Sequence, residues 1–251
     1  MSGVRDLISK RLERGPVHVT LIDPDKQGPE RSASLASHAQ EGGTDILLIG
    51  GTTGVNDEKL GTTISAVKAE TSLPIIIFPT SHQVLSPDAD AVFYMSLMNS
   101  RNLDYVIREA ARGSLRIAEM GLEAIPVGYI VVEPGMTVGE VGDVDLIPRS
   151  DTRTAMEYAK AAELFGMDFC YLEGGSGVSE PIPYEMIRSV RSILSIPIIL
   201  GGGINSPQRA FEAVKAGADV IVTGTFIERE KDLRSAVSSM TEAMGRAWKE
   251  R

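Results

Sequence analysis

Eight short apolar runs, with helix-period segments in most of the gaps between them, constrain this chain more than any other feature. They are HVTLID (18–23), DILLIG (45–50), PIIIF (74–78), AVFYMSL (91–97), AIPVGYIVV (124–132), FCYLE (169–173), IPIIL (196–200) and DVIVTG (219–224). Each is nearly continuous in hydrophobicity and not alternating, which is the mark of parallel strands covered on both faces. LASHAQEGG, LGTTISAVKAETS, LDYVIREAARGSLRIAEMG, TAMEYAKAAELFG, PYEMIRSVRSIL and SPQRAFEAVKAG carry the helical period. In the last of these Ser206 is an N-cap, Pro207 takes the first helical position and Gly217 is the stop. After the eighth run, Leu233, Val237, Met240, Met244 and Ala247 fall on one face of a closing helix. Strand then helix, eight times in 251 residues, predicts one α/β domain, 1–251, folded as a (βα)8 TIM barrel.

Two places break the rhythm. Only PTSHQVLSPDAD, with two prolines, joins PIIIF to AVFYMSL. A βαβ crossover helix hardly fits in so short a gap, so the third helix is expected to be missing or replaced. After the fifth strand, EPGMTVGEVGDVDLIPRSDTR is long and polar, and on a barrel it lies over the C-terminal face as a candidate lid. An open doubly wound sheet is the rival architecture. There the glycine-rich turn follows the first strand, whereas here that strand ends in Asp23-Pro24-Asp25-Lys26.

Composition narrows the function classes. A net charge of −9, with no basic stripe and no interleaved aromatics, argues against a nucleic-acid partner. No run of 18 apolar residues exists, so no integral membrane segment is expected, and the charged N-terminus MSGVRDLISKRLERG argues against a secretory signal. The single cysteine, Cys170, lies in an apolar run and reads as a small buried hydrophobe, which suits a reducing cytoplasm.

Chemistry concentrates at the strand ends. Gly201-Gly202-Gly203 closes the seventh run and Gly224-Thr225 the eighth, where TIM barrels often bind phosphate. Glycines there let backbone amides approach an anion; the alternative is that they only serve tight turns. The sixth run ends in Tyr171-Leu172-Glu173-Gly174-Gly175-Ser176-Gly177. Glu173 suits a hydroxyl group, whose proton it can accept, unless it is a barrel-layer charge paired with a lysine or arginine. Asp23, held extended by Pro24, can draw in Mg²⁺, with Asp25 either assisting or capping the next loop. Gly50-Gly51-Thr52-Thr53-Gly54 ends the second strand and offers a threonine hydroxyl to the same site. His18, His38 and His82 read as structural or solvated.

HVTLIDPDK, ILLIGGT, GYIVVEPG, YLEGGSG, LGGGI and VTGTFIE, in that order, resemble the geranylgeranylglyceryl phosphate synthase family over nearly the whole chain. The resemblance implies a modified barrel lacking a normal third helix. It further implies Mg²⁺-dependent transfer of a polyprenyl group, geranylgeranyl by expectation, from its diphosphate to the 3-hydroxyl of sn-glycerol 1-phosphate. That reaction forms the first ether bond of archaeal-type lipids. By position, Asp23 and Thr52 resemble the metal site, and Glu173 the general base. Tyr171, Leu172, Glu173, Gly174, Gly175, Ser176, Gly177, Gly202, Gly203, Gly224 and Thr225 resemble the glycerol-phosphate site. In another branch a lysine stands two residues before the first-strand aspartate; here it is Leu21, and Lys26, or Arg149 and Arg153 from the long loop, are candidates for the missing positive charge. Phe93, Tyr94, Met95, Leu97 and Met98 are candidates for an apolar groove that takes the prenyl chain, the alternative being ordinary core. The family implies a homo-oligomer, and the lipid substrate implies transient visits to a membrane surface.

Two other classes compete. A phosphosugar isomerase or epimerase, or a thiamine-phosphate-type synthase, would use the same glycine cup, though isomerases need paired acid and base groups and only Glu173 has a clear claim. A non-catalytic phosphate-sensing barrel would have no use for Asp23 together with Glu173.

Overall fold

The computed structural model describes residues 3–251, and of Glu228 and Arg229 the backbone alone. Its strands are β1 (Val17–Ile22), β2 (Ile46–Gly50), β3 (Ile75–Phe78), β4 (Ala91–Leu97), β5 (Glu123–Val131), β6 (Phe169–Glu173), β7 (Ile198–Gly201) and β8 (Val220–Thr223). They pair in chain order, all parallel, and β8 closes on β1 with Val17 opposite Val220. Every strand overlaps its predicted run.

The helices are α1 (Val4–Leu12), α2 (Pro29–Glu41), α3 (Asp57–Glu70), α4 (Glu109–Met120), α5 (Met136–Val141), α6 (Thr152–Leu164), α7 (Tyr184–Ile193), α8 (Pro207–Ala216), α9 (Thr225–Arg229) and α10 (Leu233–Lys249). None lies between β3 and β4, where the chain makes only turns, so the expected gap in the helical ring is there. In α8 the Ser206 hydroxyl accepts the Arg209 N–H, and Gly217 terminates the helix with φ +125°. The predicted face of α10 is buried throughout.

Period-two alternation sorts strand side chains between two cores. Val19, Leu48, Phe93, Val127, Phe169 and Ile199 fill the barrel interior. Cys170, Leu172, Ile198, Leu200 and Ile221 face outward and pack against helices. Below the barrel, α1 contributes Val4 and Ile8 to the interior core, and the Glu123 carboxylate accepts the Arg5 N–H at 3.1 Å. His18 sits on β1 facing outward, buried, its ring nitrogens 3.0 Å from the hydroxyls of Thr44 and Thr223. Burial favours its neutral form and pushes its pKa down to about 4. Cys170 is fully buried, and burial pushes its thiol up to about 12.

The segment after β5 crosses the barrel mouth and is tethered there. The Asn99 amide donates to the carbonyls of Val131 (2.8 Å) and Asp145 (2.9 Å) and accepts the Val131 N–H at 3.1 Å. Val138 and Leu146 add their side chains to the interior core, so this segment is a packed cover over the C-terminal face.

Candidate active site

A cavity of about 600 Å³ opens at the C-terminal ends of the strands. It is reached by loops after six strands: Asp23 and Lys26 after β1, Gly51 and Thr52 after β2, Thr137 and Val138 after β5, Ser176 and Gly177 after β6, Gly202 and Gly203 after β7, and Gly224 and Thr225 after β8.

Glu173 stands at its floor because it is the third inward residue of β6, after Phe169 and Tyr171. Its carboxylate is 7% exposed, accepts the Gly175 N–H at 2.6 Å, and is hydrogen-bonded by the hydroxyls of Tyr171 and Tyr129. Burial outweighs these hydrogen bonds and raises its pKa to about 6. Among the described residues, no lysine or arginine pairs with it. The rings of Tyr129 and Tyr171 meet edge to face at 4.8 Å, and Phe78 packs on both. Burial, and then the neighbouring carboxylate, raise both phenols well above their ordinary range, so each is a standing donor toward Glu173.

Gly201 explains why no side chain is allowed at the end of β7. A Cβ there would lie 2.4 Å from Glu173 Oε2 and 2.6 Å from the Tyr171 hydroxyl. Beyond it the loops build a cup. The hydroxyls of Ser176 and Thr225 lie 3.1 Å apart, joining the loops after β6 and β8. Among the described residues, no backbone acceptor takes the amides of Ser176, Gly177, Gly203, Ile204, Thr225 or Phe226. The last two belong to the first turn of α9, where N–H groups have no intrahelical partner. Amides left without a backbone acceptor around one cavity have the chemistry to hold an anion.

The other predicted residues divide. Leu172 faces the outer core and can offer the site only its backbone. Gly174 and Gly175 lie behind the cup, Gly175 being tied to Glu173. Asp23 and Thr52 both line the cavity, and Asp23 stands against bare backbone: a Cβ on Gly51 would lie 2.6 Å from Asp23 Oδ1. Asp25 pairs with Lys59 at 2.6 Å, away from the cavity. Leu21 and Lys26 line the cavity, with Lys26 Nζ 3.7 Å from Asp23 Oδ2. Arg149 and Arg153 do not line it: Arg149 bonds the Pro181 carbonyl and Arg153 pairs with Glu157. Tyr129 is a site residue that sequence reasoning missed, although its place two residues before the end of β5, in inward register with Tyr171, is the available signal.

Where the third helix is absent, an apolar groove of about 130 Å³ runs from the cavity between β4 and α4. Phe93, Tyr94, Met95 and Leu97 line it as expected. Met98 does not; it packs on the outer core instead. Gly51, Thr52, Phe78, Tyr129 and Val138 border both spaces, so groove and cavity adjoin. His82 and Glu109 pair on the groove wall at 2.8 Å, and His38 bonds its own helix.

A closed parallel barrel with an amide cup, a buried carboxylate and an adjoining apolar groove defines a phosphate-handling TIM-barrel enzyme. The chain belongs to the PcrB family, which matches residues 6–244. It is 45% identical over 244 residues to the geranylgeranylglyceryl phosphate synthase of Picrophilus torridus, covering 97% of this chain and 100% of that one. To the enzyme of the same name from Pyrococcus horikoshii it is 46% identical over 233 residues, with 93% and 92% covered. The crystal structure of (S)-3-O-geranylgeranylglyceryl phosphate synthase from Thermoplasma acidophilum, in complex with sn-glycerol-1-phosphate, superposes with a TM-score of 0.96. That pair is 42% identical, with 98% of this chain and 100% of that one covered. Thiamine phosphate pyrophosphorylase from Pyrococcus furiosus shares the fold at a TM-score of 0.62 and 19% identity.

Proposed function

We propose that this protein transfers a geranylgeranyl group from its diphosphate to the 3-hydroxyl of sn-glycerol 1-phosphate. The observation that carries the reading is the adjacency of three features: an amide cup for a phosphate, a buried base beside it, and an apolar groove that shares five lining residues with the cavity. The cup holds the glycerol phosphate through Ser176, Gly177, Gly202, Gly203, Gly224 and Thr225, fixing its hydroxyl toward Glu173. The oxygen of that hydroxyl attacks C1 of the prenyl chain while the C1–oxygen bond to diphosphate breaks and its electron pair leaves with the diphosphate. The hydroxyl proton passes to Glu173, which a pKa of about 6 leaves ionised at neutral pH. Tyr129 and Tyr171 orient that carboxylate.

Asp23 and Thr52, at the mouth of the groove, fit a magnesium site that is shared with the diphosphate. Both line the open cavity, where waters and phosphate oxygens have room to complete a coordination sphere, and the described residues contain no cluster of three acidic, His or Cys ligands. Magnesium keeps most of its waters and needs no protein cage, so this donor set suits it. When bound it supplies charge neutralisation for the leaving diphosphate. Lys26 is the cation placed to assist.

Among the described residues no helix is long and apolar enough to cross a membrane, and we infer a cytoplasmic setting from the single buried cysteine. The groove's lipid substrate calls for transient contact with a membrane surface. Exposed Leu164 and Phe165 at the end of α6 suit association with a second copy, which sedimentation would measure. The test of the main reading is incubation with labelled sn-glycerol 1-phosphate, Mg²⁺ and prenyl diphosphates of graded length. Metal-dependent label in the organic phase supports it; bound glycerol phosphate with no product from any chain overturns it.

A further inference from the structure

The back of the phosphate cup is held by two arginines that the chemistry above does not use. Arg209, on α8, donates through Nη1 to the carbonyls of Ser179 (2.6 Å) and Gly203 (2.9 Å), and through Nη2 to Glu180 at 3.1 Å. One guanidinium therefore bonds the loops after β6 and β7 together. Arg149, from the segment after β5, donates through Nη2 to the Pro181 carbonyl at 2.7 Å, while its own N–H is taken by Glu133 at 3.2 Å. Its Nη1 is buried with no acceptor among the described residues, a cost that the single Pro181 contact must offset.

These bonds meet at a place of very close approach. Gly203 has φ +73°, and a Cβ on it would lie 2.6 Å from the Pro181 nitrogen and 2.8 Å from the Glu180 carbonyl carbon. The Gly203 backbone thus lies directly against the Glu180–Pro181 peptide, and the arginines hold carbonyls on both sides of that contact. A trans peptide carries its C=O and N–H on opposite sides. Fixing the Gly203 carbonyl toward Arg209 therefore fixes the Ile204 N–H on the other side, and Ile204 lines the cavity.

We propose that Arg149 and Arg209 are positioning residues for the glycerol phosphate: they staple the loops after β5, β6 and β7 behind the cup and so set the direction of its amides. Neither arginine lines the cavity, so neither touches the substrate. Lysine cannot replace Arg209, because one ammonium on a flexible stem does not reproduce a planar fork that places Nη1 on two carbonyls and Nη2 on the Glu180 carboxylate. The inference rests on the function proposed above for its choice of substrate and not for its geometry.

The test uses the full chain carrying Arg149→Lys or Arg209→Lys, with KM measured separately for sn-glycerol 1-phosphate and for geranylgeranyl diphosphate, and glycerol-phosphate binding measured by calorimetry without the prenyl substrate. The expected result is a rise of about tenfold in KM and in Kd for the glycerol phosphate, as a lost hydrogen bond from a charged donor gives. The KM for geranylgeranyl diphosphate stays within about twofold, less than a single lost hydrogen bond costs. Hydrogen exchange should quicken in peptides spanning 174–183 and not in the β strands. Glycerol-phosphate binding unchanged in both variants, or both KM values rising together with a general loss of exchange protection, overturns the proposal. If wild type binds glycerol phosphate but makes no ether product, the calorimetry still decides the staple while the transferase reading falls. If wild type binds no glycerol phosphate, both fall.

Discussion

Glu173 is made into a base by its surroundings, and its replacement separates function from stability. Its ordinary pKa near 4.5 rises to about 6 because burial disfavours the charge more than the hydrogen bonds to it restore. The catalysed rate, kcat/KM, should therefore climb as pH rises through about 6 and then level, a profile read from initial rates. Glu173→Gln keeps the shape and removes the base, so kcat should fall by about 10²–10⁴. At neutral pH the raised pKa corresponds to about 2 kcal/mol of cost in keeping the carboxylate charged. Part of that is recovered in the amide, so the variant should melt a few degrees above wild type; an active or less stable Glu173→Gln would count against this account. Gly201→Ala tests the same point from the neighbouring strand. Its methyl would meet Glu173 and Tyr171 at 2.4 and 2.6 Å, so the carboxylate must move. A misplacement on the order of 1 Å costs about 10² in rate.

At the scale of elements, the absent third helix makes the groove, and α4 supplies the wall opposite β4. Gly113 of α4 lines that groove, and a Cβ on it would sit at an ordinary 3.4 Å from His82. Gly113→Leu should therefore fold, since leucine favours the helix by about 1 kcal/mol over glycine, while its side chain occupies the groove. Displacing one or two methylenes, each about 0.8 kcal/mol, should raise KM for geranylgeranyl diphosphate roughly tenfold. KM for glycerol phosphate and for geranyl diphosphate should hardly move, and a uniform change in all three would show that α4 is not the groove wall. Much of this was legible in the sequence. Eight apolar runs marked the strands because strands buried on both faces must be apolar at nearly every position, and the twelve-residue gap after PIIIF left no room for a helix. Which residues of AVFYMSLM enter the groove was harder, because Met98 lies just past the end of β4 and turns to the outer core. Tyr129 was not singled out, since its register with Tyr171 depends on how β5 pairs with β6. That Arg149 and Arg209 hold the loops was hidden because, Glu180 apart, the acceptors are backbone carbonyls, which carry no residue signature.

Across the whole molecule, two buried groups on different strands set opposing pH dependences. His18 is held neutral, its pKa pushed by burial from 6.5 to about 4. Its contribution to stability is complete above pH 6.5 and is lost as pH falls through about 4, because unfolding lets the ring take a proton. Glu173 works the other way: raised from 4.5 to about 6, it contributes stability below 4.5 that is lost as pH rises through about 6. Acidification from about pH 7 to about pH 5 thus withdraws one contribution while restoring the other, and wild type should show the small net change left by partial cancellation. The two single variants should split in opposite directions. His18→Gln keeps a polar group between Thr44 and Thr223 but cannot titrate, so its melting temperature, lower than wild type at neutral pH, should fall less or rise on acidification. Glu173→Gln removes the compensating gain, so its melting temperature should drop more steeply than wild type over the same interval. Melting curves of the three proteins at the two pH values decide it: parallel shifts would mean that neither buried group titrates where its surroundings place it.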